Sequence, residues 1–152
     1  MVLMAYLLVG FLGMEILSYV VHRYLFHGLL WRIHRTHHEA HHGIFEFNDV
    51  FSTLFAIAAI ILIILGVNDP FGDPRFGLGM GITVYGILYF IIHDLFTHRR
   101  FLPFSSENRM MRLIRRAHQR HHQTADKVGN EPYGLFLFPY DKYPDRRIKD
   151  KG

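Results

Sequence analysis

Ten of the twelve histidines in this 152-residue chain fall into four clusters whose spacing suits metal ligation. His22 and His27 are five apart, and His34, His37 and His38 follow. His93 and His98 repeat the first spacing, and His118, His121 and His122 repeat the second. Residues at i, i+3 and i+4 share one helix face, so each triad can converge on a site. The i, i+5 pairs lie about 140° apart on a regular helix, at roughly 100° per residue. His22 and His27 therefore serve different metals, or the helix is distorted between them; the same two readings hold for His93 and His98. Neutral imidazole suits Fe, Zn, Cu or Ni. Two tetrahedral zinc ions would need about eight ligands. Ten imidazoles shared between two metals give five each and leave an octahedral position for water or oxygen, which favours iron. His41 and His42 stand outside the repeated pattern and read as solvated loop residues.

Three acids are candidates for orienting these ligands. Glu15 is the lone acid in the first apolar run, seven residues before His22. An ionisable group at that depth is costly, so a functional role is the default; the competing reading is a pairing with backbone groups. Asp94 adjoins His93, and Asp49 precedes the second apolar run.

The elements that must position the histidines are apolar and long. Uncharged or nearly uncharged runs cover about 1–21, 50–67 and 76–92, each approaching the roughly 20 residues that cross a bilayer, with room to extend into the polar sequence that follows. The first lacks a basic leader and a small-residue cleavage site, so it reads as a retained span. Residues 68–75 (NDPFGDPR) break helix twice and make a tight hairpin of the second and third spans. That hairpin returns both motif copies to one side of the membrane. The hairpin turn holds two Asp and one Arg, whereas the histidine regions are rich in Arg, so the clusters are expected on the cytoplasmic side. Ser105, Ser106 and Glu107, after Pro103, read as the start of a helix reaching about His122. Its apolar face, Met110, Leu113, Ile114 and Ala117, runs on into His118 and His121. The expected architecture is an all-α membrane bundle, a single domain over 1–152 with a polar tail from about 141.

Gly77, Gly79 and Gly81 read as a close helix-packing stripe, since the nucleotide-loop alternative lacks a preceding strand. Phe55, Tyr85, Tyr89 and Phe90 could line an apolar channel, although core or lipid-facing positions are commoner for such residues. The absence of cysteine excludes disulfides, thiolate metal sites and iron–sulfur clusters. Thirteen of the seventeen Lys and Arg residues lie beyond Ile92. Beside apolar spans this favours anionic lipid or an acidic protein over nucleic acid.

The segments HRYLFH, HRTHH with the following FEFND, YFIIHDLFTHRRF and AHQRHH resemble the bacterial β-carotene 3-hydroxylases, within the membrane fatty-acid hydroxylase and sterol desaturase superfamily. The resemblance runs from about GMEILS to GLFLFP; the GME before the first cluster and ILYF before the third point to the carotenoid branch. It implies a di-iron centre held by the ten clustered histidines, with zinc a possible substitute in preparations, and molecular oxygen as co-substrate. It also implies a ferredoxin-type electron donor and hydroxylation of the β-ionone ring at C3, from β-carotene to β-cryptoxanthin and zeaxanthin. The expected location is the bacterial cytoplasmic membrane. The alternatives are a lipid or sterol hydroxylase or desaturase with the same metal core, and a non-redox membrane metal-binding protein.

Overall fold

The computed structural model describes residues 1–39, 45–123, 127 and 131–143. Five helices carry them: α1 Val2–Leu29, α2 Trp31–His38, α3 Asp49–Gly66, α4 Pro74–Thr97 and α5 Arg109–His122. A 3-10 turn follows at Tyr140–Lys142, and no strand occurs among the described residues. Helices α1, α3 and α4 are long and apolar enough to cross a membrane, so the chain is an all-α membrane bundle. His41, His42 and the end of the polar tail lie outside the described residues.

Helix α4 is the central member and packs against both α1 and α3. Small residues set its distance from each neighbour. A Cβ on Gly81 would collide with the Leu7 carbonyl and the Phe11 amide of α1, and one on Gly79 would come within 2.8 Å of the Ala59 carbonyl of α3. The glycine stripe therefore lets two backbones approach α4 from different sides. Contacts advance together along α1 and α4, from Tyr6 against Gly77 to Phe11 against Tyr85, so these helices run parallel. Gly66 meets Phe76 and Ala59 meets Gly79, so α3 runs antiparallel to α4. The start of α4 is set by Asp73, which accepts from the Arg75 amide at 2.8 Å with Pro74 in the first turn.

Two expectations need correction. Helix α5 begins at Arg109, not at Ser105–Glu107, because the Asn108 side chain accepts from the Met110 and Met111 amides at 2.9 and 3.2 Å. Asn caps as well as Ser does, and here it is extended, which ends the helix at that point. Met110 is also left exposed, while Leu113, Ile114 and Ala117 are buried as expected. Ile114 and Ala117 join Met14, Tyr85 and Ile92 of the spans and Leu135 and Phe138 of the C-terminal segment in one core.

Candidate metal centre

The polar ends of α1 and α4 do not continue as ordinary α-helix. Both become π-helical, over Val21–Leu29 and Phe90–Thr97. The amide of His98 donates to the His93 carbonyl at 2.8 Å, and that of Leu30 to Leu25 at 2.8 Å, both i→i+5 bonds. Such a winding brings residue i+5 nearly above residue i. The rings of His22 and His27 are thus 5.2 Å apart, and those of His93 and His98 4.5 Å. Of the two readings of the i, i+5 spacing, helix distortion is the one the structure shows.

All ten clustered histidines meet in one region. Ligand nitrogens of His22, His27, His34, His38 and His121 lie within 4.8 Å of one another, and those of His37, His93, His98 and His118 form a second such group. His122 borders the second group, its Nε2 2.9 Å from that of His118. The groups do not follow the sequence copies. Each takes four residues of one copy, counting His122 with the second, and the middle triad histidine of the other. His37 crosses to the second group and His121 to the first. Because α2 and α5 each serve both groups, neither copy makes a complete site alone.

The donor set is suited to a cation. His22 Nδ1 donates to the Tyr133 carbonyl at 2.8 Å, and His27 Nδ1 to the Lys127 carbonyl at 3.2 Å. His34 Nδ1 faces Asn48 Oδ1 at 3.3 Å. With their protons directed outward, these rings turn unprotonated Nε2 atoms inward. Nε2 of His22 then faces that of His34 at 3.0 Å, lone pair to lone pair, an arrangement a metal ion relieves. Burial, reinforced by neighbouring histidines, pushes His34 and His98 down to about 2 and also lowers His37, His118 and His122, so these imidazoles are neutral ligands at neutral pH.

The second group is backed differently. His37 Nδ1 meets Glu46 Oε2 at 2.5 Å, and His93 Nδ1 meets Asp94 Oδ1 at 3.2 Å. Arg100 ties these carboxylates together: Nη1 donates to Asp94 at 3.0 Å, Nη2 to Asp49 at 2.6 Å, and Nε lies 3.8 Å from Glu46. Asp49 in turn accepts from the Glu46 amide at 2.9 Å. Burial raises the Glu46 carboxyl, and Arg100 pulls it back. Arg99 and Phe101, on either side of Arg100, adopt left-handed backbone with φ of 58° and 53°, a conformation non-glycine residues avoid unless the surroundings hold them there.

The three proposed acids thus take different positions. Asp94 contacts a histidine, Asp49 reaches the centre through Arg100 and Glu46, and Glu15 accepts from the Leu135, Phe136 and Leu137 amides at 3.3, 2.8 and 2.7 Å. Glu15 thereby anchors the segment whose Tyr133 carbonyl orients His22. Sequence reading passed over Glu46, Asn48, Arg100 and Tyr133. Glu46 and Asn48 sit in the FEFND motif, which was a usable signal; a backbone carbonyl leaves none.

An apolar cavity of about 460 Å³ has His22, His34, His37 and His93 at its inner end. Ile60, Ile87 and Phe90 in its wall are 54%, 55% and 42% exposed on span surfaces, so it opens sideways between α3 and α4. Phe55, Tyr85, Tyr89 and Phe90 all line it, and they meet the commoner expectation as well: Tyr85 belongs to the core, Phe55 and Tyr89 pack against it, and Phe90 is exposed on the span surface. A polar cleft of about 300 Å³ reaches His38, His98, His118 and His122 past Thr97 and Gln119.

Residues 7–144 match the family model described as fatty acid hydroxylase, and the chain belongs to that family. Within it, relatives of this chain include carotene hydroxylases. The chain is 42% identical over 153 residues to "Beta-carotene hydroxylase 1, chloroplastic" of Capsicum annuum, covering 91% of this chain and 48% of the relative. It is 41% identical over 152 residues to "Beta-carotene 3-hydroxylase 1, chloroplastic" of Arabidopsis thaliana, covering 90% and 48%. To the "Beta-carotene hydroxylase" of Pantoea ananas it is 37% identical over 130 residues, covering 84% and 73%. The chain spans about half the length of the plant relatives it matches. The resemblance read from the histidine motifs is borne out by these relatives. No solved structure matches the chain at a significant level.

Proposed function

We propose that this chain is a membrane monooxygenase that hydroxylates the β-ionone ring of β-carotene at C3, yielding β-cryptoxanthin and then zeaxanthin. The observation that carries the reading is the sideways apolar cavity ending on histidines, which suits a substrate dissolved in the bilayer. The names of the relatives support the choice of carotenoid.

The ten clustered histidines would hold two iron ions, five imidazoles to each. Iron supplies the oxygen activation that organic side chains lack, and zinc can replace it in preparations without supporting turnover. The balance is one C–H bond and O2, with two electrons and two protons, giving C–OH and water. The chain's own residues do the rest. Phe55, Tyr85 and Tyr89 hold an apolar chain and exclude water, so the ring is presented at the inner end of the cavity beside His22 and His93. The polar cleft gives protons and water a separate route, past Gln119 and Thr97. Electrons come from a ferredoxin-type partner, and exposed Arg109 and Arg120 on α5 offer an acidic protein a docking face. The histidines face the cytoplasm of a bacterial membrane in this reading, as the placement of Arg residues favours. Residues 1–152 act as one domain.

Expression in a β-carotene-producing host, followed by pigment analysis, tests the proposal. Zeaxanthin and β-cryptoxanthin are expected; unchanged β-carotene, with active electron donors present, overturns it. A second arm uses Gly86, which lines the cavity and has open space where a Cβ would sit. Gly86→Phe should lower carotenoid turnover while metal content stays at the wild-type level.

A further inference from the structure

The two histidine groups differ in what lies behind their ligands. In the first, the described partners of outward Nδ1 atoms are neutral: the Tyr133 and Lys127 carbonyls and the Asn48 amide. In the second they are Glu46 and Asp94, with Asp49 close by, three carboxylates against the single guanidinium of Arg100. A carboxylate behind an imidazole raises the basicity of the inward nitrogen and fixes its tautomer, and an excess of negative charge attracts a cation. Arg100, Glu46 and Asp94 are shielded from water, at 10%, 9% and 13% exposed, so their field is little screened; Asp49, at 31%, is the more open member.

We propose that the two metal positions are unequal, the tighter ion being held by His37, His93, His98, His118 and the adjoining His122, and that Glu46 and Asp94 are the positioning residues that set the difference. Glu46 has the larger share, because its contact with His37 is the shorter. His37 is also the histidine that the first copy contributes across to the second group, so Glu46 fixes the one ligand whose helix belongs mainly to the other site. Arg100 keeps Glu46 and Asp94 apart and aimed, and the left-handed residues on both sides of it hold the strap that delivers it.

This inference rests on the histidines holding two metal ions, but not on the identity of the substrate. The test is equilibrium Co2+ binding to metal-free, full-length protein in detergent micelles, in competition with a chelator. Equilibrium is needed because the polar cleft opens onto the second group and would bias rates of loss. Wild type should bind two ions in separate steps. Glu46→Gln should weaken the tighter step about 10- to 100-fold and leave the weaker one in place, with Asp94→Asn acting in the same direction but less. Asn48→Asp, which puts a carboxylate behind His34, should tighten the weaker step and close the gap. Thermal unfolding of each metal-free variant reports folding independently. Two equal steps in wild type, or loss of the weaker step in Glu46→Gln, overturns the inference. A chain with unequal steps that leaves β-carotene unchanged keeps the inference and sinks the substrate; hydroxylation by a chain with equal steps does the reverse.

Discussion

In the first copy of the histidine motif, α2 follows α1 after a single residue, Leu30, and the direction change is made at Gly28, whose backbone leaves the helical region at φ −112° and ψ −107°. In the second copy, residues 98–108 intervene between α4 and α5, and they include the Arg100 strap. The spacing of ligands is the same, yet the supports are unrelated. His22 and His27 of the first copy lean on the C-terminal segment, through the Tyr133 and Lys127 carbonyls. A buried carboxylate cluster backs His93 of the second copy and the exchanged His37 of the first. A repeated ligand pattern therefore says which imidazoles gather, whereas their division between the two groups and the chemistry behind each atom depend on the segments packed against them.

The exchanged histidines give the sharpest way to break the comparison. His121→Ala should remove an ion from the first group and His37→Ala one from the second, so each variant should retain about one equivalent of metal. Metal analysis of the purified proteins checks this, and activity should vanish in both. Equal loss of both ions from either variant would mean that the groups are one coupled site.

Next in size is the support of the second group. Arg100→Leu leaves three carboxylates without their cation in a largely buried place, which should cost about 3–5 kcal/mol. A lower midpoint in thermal unfolding of the metal-free protein is expected, with any change in metal binding confined to the second group. The smallest effect belongs to the first group. Glu15→Gln keeps the shape of the side chain but weakens three charge-assisted bonds to the Leu135, Phe136 and Leu137 amides, a loss of about 1–3 kcal/mol. Its mark should be faster amide exchange over residues 133–138 and looser metal at the first group. If Glu15→Gln disturbed the second group instead, the division of supports would be wrong.

Much of the bundle was legible in the chain. Apolar runs long enough to cross a bilayer, a turn with two Asp-Pro pairs and a glycine stripe have only a few physical solutions, because backbone polar groups in lipid must be satisfied within helices. The starts of helices were less legible: Asn108 took the cap that Ser105 and Ser106 also suited, and local preference alone does not choose between such neighbours. The i, i+5 pairs were readable only as an ambiguity, since whether a helix underwinds into π form depends on what its end packs against.

Order along the chain is enough to place ten imidazoles, in two matched sets at the polar ends of apolar spans, on one side of a membrane. Side-chain spacing along a helix and the return of a hairpin are local properties, and local properties are written in order along the chain. The exchange of His37 and His121, the carboxylates Glu46 and Asp94 behind one group against neutral carbonyls behind the other, and the opening of the cavity between α3 and α4 come from long-range packing. Those depend on contacts between segments as much as 122 residues apart, such as Glu15 with the Leu137 amide. Burial makes each of them consequential, because a polar atom shielded from water must find its partner inside the protein.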